Sequence, residues 1–398
     1  MDRIQKLLDA VDRWGDYTVK IRRQIHENPE LSYHEFETSA LVAGELKRLG
    51  IPYVESHIKP GLIATIDSGK PGKLLVLRGD MDALPVQEET NLPFKSKNDG
   101  VMHACGHDVH TSNLLTVGII LNEMKEEWSG RIRLVFQPAE EHGGGGREMI
   151  KAGLFDEMPD CCLGIHVWPD KRGKIILGSG YRTAYSDGCT ITVHGKAAHS
   201  SKPQDGVDAI LIAANIITAL NTITSRNMDP RDASNLNVGT IKGGSVPNIL
   251  ADKAVMMCMM RNVAPDSREV MFKRVEEICK GIATAMGGSC DTDFIRSYPS
   301  VYNDPTVADF LYGLFRERKD DLFRGLDAAP EDYLEPAPEP MLAAEDFGYY
   351  GQKVPSCFMF IGTGEYAPAH NQKFQVDEQY IKFCTRIMAM AALEYMNS

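Results

Sequence analysis

The 398-residue chain lacks a basic excess: 43 Lys and Arg stand against 55 Asp and Glu, a formal net charge of −12. Without one there is no electrostatic footprint for a phosphate backbone or an anionic bilayer, so neither nucleic acid nor membrane is an expected partner. Long apolar runs are scarce as well. The stretch Leu114–Leu121, interrupted by Thr116 and Gly118, falls far short of the roughly 20 residues that cross a bilayer. The opening Met1-Asp2-Arg3-Ile4-Gln5-Lys6 leads into an amphipathic pattern instead of the apolar centre of a signal peptide. Nine cysteines, an odd number without a framework spacing, favour reduced thiols and a cytoplasmic location over disulfides. Internal repeats and low-complexity tracts are missing too. What is present is ordinary for a globular protein, 43% hydrophobic and 25% charged residues. At about 100–200 residues per domain, the length suggests two or three domains.

Periodicity divides the chain. Helical patterns cover Ile4–Ile25 and Phe36–Leu49, the second ended by Gly50 and Pro52. Strand signals at Leu62–Ile66, Leu74–Arg78, Ile132–Phe136 and Cys162–Val167 then alternate with helical ones at Val109–Trp128 and Glu148–Ala152, which predicts an α/β layer with a largely parallel sheet. Near Tyr181 the texture changes. Strands at Cys189–Val193, Asn235–Ile241, Ala254–Met260 and Cys290–Arg296, with helices at Val207–Ile223 and Ser267–Met286, follow the β-α-β-β-α-β order of a ferredoxin-like α+β domain. The α/β texture returns with the strand Cys357–Ile361 and the helix Asp377–Met396. The expected organisation is therefore an α/β domain in two pieces, 1–182 and 298–398, with a smaller α+β domain, 183–297, inserted. The Pro-rich Leu334–Pro340 is read as an irregular excursion of the second piece.

Polar chemistry is densest at His103-Ala104-Cys105-Gly106-His107-Asp108-Val109-His110, before a predicted helix. Cys105 and His107 stand two apart, so one turn can aim a thiolate and an imidazole at a single zinc-like ion. Upstream, Arg78-Gly79-Asp80-Met81-Asp82 ends an apolar strand, where open α/β sheets place their ligands, and either Asp80 or Asp82 could orient a metal-bound imidazole. After Ile132–Phe136 comes Gln137-Pro138-Ala139-Glu140-Glu141, followed by His142 and four glycines. Adjacent side chains point apart, so the glutamate pair suggests one carboxylate on metal and the other as general base. The glycines lack the Lys-Ser/Thr of a P-loop, which excludes a nucleotide site of that kind. His166 and His370 follow two further strand signals. Each of these motifs alone has a blander reading, as a capped helix, a buried thiol or a solvated pair. Together, Cys105, His107, Glu141, His166 and His370 form a donor set that suits two adjacent divalent ions better than one tetrahedral structural site. His34, His57, His110, His142 and His194 are read as structural or solvent-facing.

These motifs resemble the aminoacylase and metallocarboxypeptidase family of amidohydrolases, most closely the branch of hippurate hydrolases, N-acyl-amino-acid deacylases and auxin-conjugate hydrolases. The likeness runs through His26-Glu27-Asn28-Pro29-Glu30-Leu31-Ser32, Arg78–Pro85, His103–His110, Pro138–Glu141, His166–Pro169, His199, Pro247-Asn248, Ala344–Phe347 and His370-Asn371. It implies a zinc-exopeptidase-like catalytic domain with an inserted lid that mediates homodimerisation. It also implies two divalent metals (Mn, Zn, Co or Ni) on the five residues above, with Asp82 orienting a ligand. Glu140 then corresponds to the general base and His199 to a lid histidine that reaches the substrate carbonyl across the dimer. Asn248 and Arg261 correspond to positions near the substrate carboxylate. The implied reaction is cleavage of an N-acyl amino acid, with a dipeptidase or carboxypeptidase on the same centre as the alternative. Ser200-Ser201-Lys202 departs from the small residues usual after the lid histidine. A metal-sensing module and a zinc nucleobase deaminase are the readings from other classes, and the deaminase signature, His-x-Glu with Pro-Cys-x-x-Cys, is missing.

Overall fold

Strands whose every residue is apolar or paired can be covered on both faces, and Leu74–Asp80, Cys161–Trp168 and Ser356–Gly362 are buried almost throughout. In the computed structural model, which describes residues 2–335 and 339–398, they lie at the centre of an eight-stranded sheet. Its order is Tyr53–Glu55, Leu62–Asp67, Arg131–Gln137, Leu74–Asp80, Cys161–Trp168, Ser356–Gly362, Ile175–Ile176 and Leu334–Glu335. The four strands from Arg131–Gln137 to Ser356–Gly362 run parallel, so their carboxyl ends share one edge. Leu62–Asp67 and Ile175–Ile176 flank them antiparallel. Helices Arg3–Glu27, His107–Glu123 and Ile381–Tyr395 pack on one another, and the middle one is buried from His107 to Leu121. The expected helix Val109–Trp128 stops at Glu123, because the chain tightens into a single 3₁₀ turn at Lys125–Glu127 before Trp128 extends. Leu334–Glu335 adds an edge strand parallel to Ile175–Ile176, and the rest of the Pro-rich stretch, at 336–338, lies outside the described residues.

Packing separates the described residues into two units, one of residues 2–180, 302–335 and 346–398, the other of Tyr181–Val301 with Glu339–Glu345. The second unit holds an antiparallel four-stranded sheet in the order Ser234–Gly243, Lys253–Asn262, Tyr185–His194, Ser289–Arg296, which is the ferredoxin-like arrangement. Alternation is strict in Tyr185–His194, with one face buried under helices Ala209–Leu220 and Pro265–Ala285. On the opposite face Met257 and Met259 remain 55% and 45% exposed. The apolar run at Ala209–Leu220 exceeds Leu114–Leu121. Together with its continuation to Arg226 it is long and apolar enough, by length and composition alone, to cross a membrane. Its inward side, Ala209, Ile212, Ala213, Ile216 and Leu220, packs into the core of this unit.

Candidate metal centre

The shared edge of the parallel strands is where the candidate ligands collect. Gly106 separates Cys105 from His107 at φ +84°, and a Cβ there would stand 2.3 Å from Val167 Cγ2, so only glycine makes this turn. The turn brings the donor atoms of Cys105, His107 and His166 within 4.8 Å of one another. Cys105 also groups in this way with Glu141 and His370, and His107 with Glu140 and Glu141. Cys105, His107 and Glu141 each belong to more than one of these triads, so the groups join into one cluster that could hold more than one ion.

Each ring is aimed by its other nitrogen. His166 Nδ1–H donates to the Val167 carbonyl at 2.6 Å, leaving Nε2 at 3.4 Å from Cys105 Sγ. His107 Nδ1–H donates to Asp82 Oδ1 at 3.2 Å, and its Nε2 is buried without a hydrogen-bond partner among the described residues. Asp82 reaches further: its carboxylate accepts the backbone N–H groups of Glu140 and Glu141, each at 3.0 Å, and the Ser32 hydroxyl at 2.6 Å. His370 arrives on a loop after the strand Ser356–Gly362, held in the left-handed region (φ +67°) as its N–H donates to the Ala104 carbonyl at 2.8 Å. Its Nε2 lies 3.2 Å from Glu141 Oε1, and the imidazole is 54% exposed, so the centre opens to solvent on this side.

Both ring nitrogens of His110 are engaged within the protein. Its Nδ1–H donates to Asp80 Oδ1 at 2.6 Å and its Nε2 accepts the Val167 N–H at 2.9 Å, which ties the helix to two strand ends. Asp80 also receives Arg78 at 2.6 Å, and Arg78 continues to Gln137 Oε1 (2.9 Å) and Asp346 Oδ1 (2.5 Å). Asp346 accepts the Gly146 N–H at 2.9 Å, while its own N–H donates to Glu140 Oε1 at 3.2 Å. His110 is structural, one of the two readings given above, whereas the parts that Arg78 and Asp346 play were not read from the sequence. The available signal was Arg78 itself, an arginine inside an otherwise apolar strand, which requires buried counter-charges.

The electrostatics ask for a cation. Burial alone would depress the imidazole of His107, yet Asp80, Asp82 and Glu141 outweigh it and hold the ring at about 10. Burial, with Glu141, Glu140 and Asp80 around it, lifts the Cys105 thiol well above its ordinary value. Burial works against ionisation of Asp82 as well, but His107 and Ser32 keep it below its usual range. Soft and borderline donors (a thiol and three imidazoles), with one carboxylate, surround a point where positive charge is favoured. This fits a pair of divalent transition-metal ions.

The remaining assigned residues belong to the second unit. His199 pairs with Ile249, and Ser200 N–H donates to the Asn248 carbonyl at 3.0 Å, so His199 and Asn248 are neighbours. Ser201, one of the residues that departs from the family pattern, has a specific contact: its N–H donates to His199 Nδ1 at 3.1 Å. The imidazole proton therefore sits on Nε2 in the neutral ring. Arg261 is elsewhere. It stands eight residues beyond Lys253 along one strand, about 26 Å at strand rise, half-buried, with its Nη1 lacking a hydrogen-bond partner among the described residues.

A parallel α/β sheet whose carboxyl edge gathers thiol, imidazole and carboxylate donors beside a further glutamate defines a metal-dependent hydrolase. The chain belongs to the peptidase family M20/M25/M40, whose profile matches residues 76–394, and is thus a metal-dependent amide hydrolase. It is 38% identical over 407 residues to thermostable carboxypeptidase 2 of Saccharolobus solfataricus, covering 100% of both chains. Against the hippurate hydrolase of Campylobacter jejuni it is 35% identical over 392 residues, covering 98% of each. Among solved structures, a Bacillus subtilis protein described as a dinuclear metal binding peptidase from the M20 family superposes with a TM-score of 0.83 at 29% identity, over 97% of this chain and 99% of that one.

Proposed function

We propose that the protein hydrolyses the amide bond of N-acyl amino acids, with Cys105, His107, Glu141, His166 and His370 holding two divalent cations and Glu140 acting as general base. The observation that carries the proposal is that Cys105, His107 and Glu141 each belong to more than one donor triad, which joins the five donors and Glu140 into one cluster. The dinuclear relative and the hippurate hydrolase relative support the metal count and the substrate class. When bound, the cations supply Lewis-acid chemistry, lowering the pKa of water and polarising the amide carbonyl. Glu140 takes the proton of the attacking water and returns it to the departing amine. His199, its Nε2–H set by Ser201, donates to the oxygen where negative charge develops. The half-buried Arg261 holds the free carboxylate of the substrate, and Asn248, being beside His199, approaches it from the protomer that supplies that histidine.

In this reading residues 1–182 and 298–398 are the catalytic domain and 183–297 the lid. The placement of Arg261 eight residues along its strand from Lys253, whereas His199 pairs with Ile249, supports a homodimer in which one protomer's His199 serves its partner's substrate. Nine free, buried cysteines support a reducing, cytoplasmic setting. A second reading, carboxypeptidase or dipeptidase action on the same centre, is favoured by the carboxypeptidase relative. The test combines Glu140→Gln with a substrate panel, after loading with Mn, Zn, Co or Ni. The variant retains both metals and loses about 10²–10⁴ in kcat. Wild-type turnover by the metal-loaded variant overturns the base assignment. Preferential cleavage of dipeptides over N-acetyl and N-benzoyl amino acids overturns the substrate class.

A further inference from the structure

We infer that Glu35 is a positioning residue for the turn that carries Glu140 and Glu141, acting through the backbone N–H of Ala139. The inference rests on the proposed role of Glu140 and adds a residue to its support.

Glu35 occupies the N-cap position of helix Phe36–Arg48 but makes no side-chain cap bond. Its carboxyl is turned away from its own helix and fully buried. Oε1 accepts the Ala139 N–H at 2.7 Å, and Oε2 is buried without a partner among the described residues. A carboxyl placed at such cost in desolvation needs a purpose, and its short hydrogen bond from Ala139 names one.

The residue it holds is unusual. Ala139 is itself fully buried and has φ +55°, a left-handed conformation that its Cβ disfavours. The turn is closed by Gly145, whose N–H donates to the Ala139 carbonyl at 3.0 Å. A Cβ on Gly145 would lie 1.8 Å from the Pro138 carbonyl oxygen. Three consecutive backbone N–H groups, those of Ala139, Glu140 and Glu141, therefore end on two buried carboxyls, the first on Glu35 and the next two on Asp82. Asp82 grips the base and the ligand by their own N–H groups, which leaves Glu35 to fix the strained residue directly before Glu140. Release of that N–H would let Ala139 relax to an ordinary negative φ and swing Glu140 off its line.

The two carboxyls divide their charge. Burial, and then the nearby negative Asp82, push Glu35 up to about 8, so it is neutral at pH 7 while Asp82 stays ionised. Glutamine therefore reproduces Glu35 in length and in its acceptor oxygen, whereas aspartate keeps the acid but falls one methylene short of Ala139.

The experiment compares Glu35→Gln with Glu35→Asp in the metal-loaded enzyme, alone and combined with Glu140→Gln, and records kcat, KM, bound metal and folded fraction. Positioning predicts that Glu35→Gln stays within about twofold of wild-type kcat, whereas Glu35→Asp loses about tenfold at unchanged KM and metal content. It also predicts that Glu35→Asp adds no loss on the Glu140→Gln background. Wild-type kcat in Glu35→Asp, a loss that tracks missing metal or unfolded protein, a larger loss in Gln than in Asp, or an undiminished effect on the Glu140→Gln background overturns the inference. A silent Glu35→Asp beside a crippled Glu140→Gln overturns this inference alone. Wild-type turnover by Glu140→Gln overturns the base assignment and the inference with it.

Discussion

Single residues in the candidate centre are held in protonation states that a metal would reverse. Without a cation, Cys105 keeps its proton because burial and the surrounding Glu141, Glu140 and Asp80 hold its thiol well up. His107, at about 10, is likewise protonated at neutral pH. Both protons must leave before thiolate and neutral imidazole can coordinate. The sign follows directly: raising pH removes the competing protons, so metal affinity rises with pH, by about tenfold per unit for each proton displaced. Metal titrations in weakly buffered solution at pH 6 and pH 8 measure this, as tighter binding at pH 8 and acid released on mixing. Binding that is equally tight at both, with no protons released, would refute the assignment of these two side chains.

At the scale of elements, the centre depends on how strands end and helices begin. Gly106 is the hinge between strand-side and helix-side ligands, and its missing side chain is what lets Val167 pack against the turn. Gly106→Ala must therefore strain a left-handed backbone and displace a buried valine. The expected outcome is loss of the bound metals with the α/β core still folded, read by elemental analysis beside circular dichroism. A fully metallated, active Gly106→Ala would contradict this account of the turn. The elements themselves were legible in the sequence, because Leu75-Val76-Leu77 is continuous apolar where both sheet faces are covered, and the second unit's strands alternate where only one is. The thiol, imidazoles and paired carboxylates that the structure groups stood at predicted strand ends, which is why they could be named as candidates. What periodicity could not reveal was partnership. His110, Glu35 and Asp346 gain their meaning from contacts 30, 104 and 206 or more residues away. The separation of Arg261 from His199 and Asn248 emerges only once strand register is known.

At the scale of the whole molecule, the proposed assembly makes a prediction that no single chain can meet. A protomer with Glu140→Gln retains a good His199, and one with His199→Ala retains a good base. If the lid histidine serves the neighbouring subunit, mixing and exchanging the two inactive variants yields mixed dimers that each hold one intact site. That restores about one quarter of wild-type activity for equal amounts under random pairing in a two-fold dimer. No recovery, with dimers present and exchanging by light scattering, would place His199 on its own protomer's substrate.

The spread of the donors along the polypeptide has a consequence for biogenesis. Cys105 leaves the ribosome well before His370, which stands 265 residues further along (370 minus 105). A nascent chain can offer the first of these side chains to any passing cation long before the last exists. If these side chains hold the ions as proposed, the pair is completed only once His370 has emerged, and products truncated before it would be left as incomplete chelators.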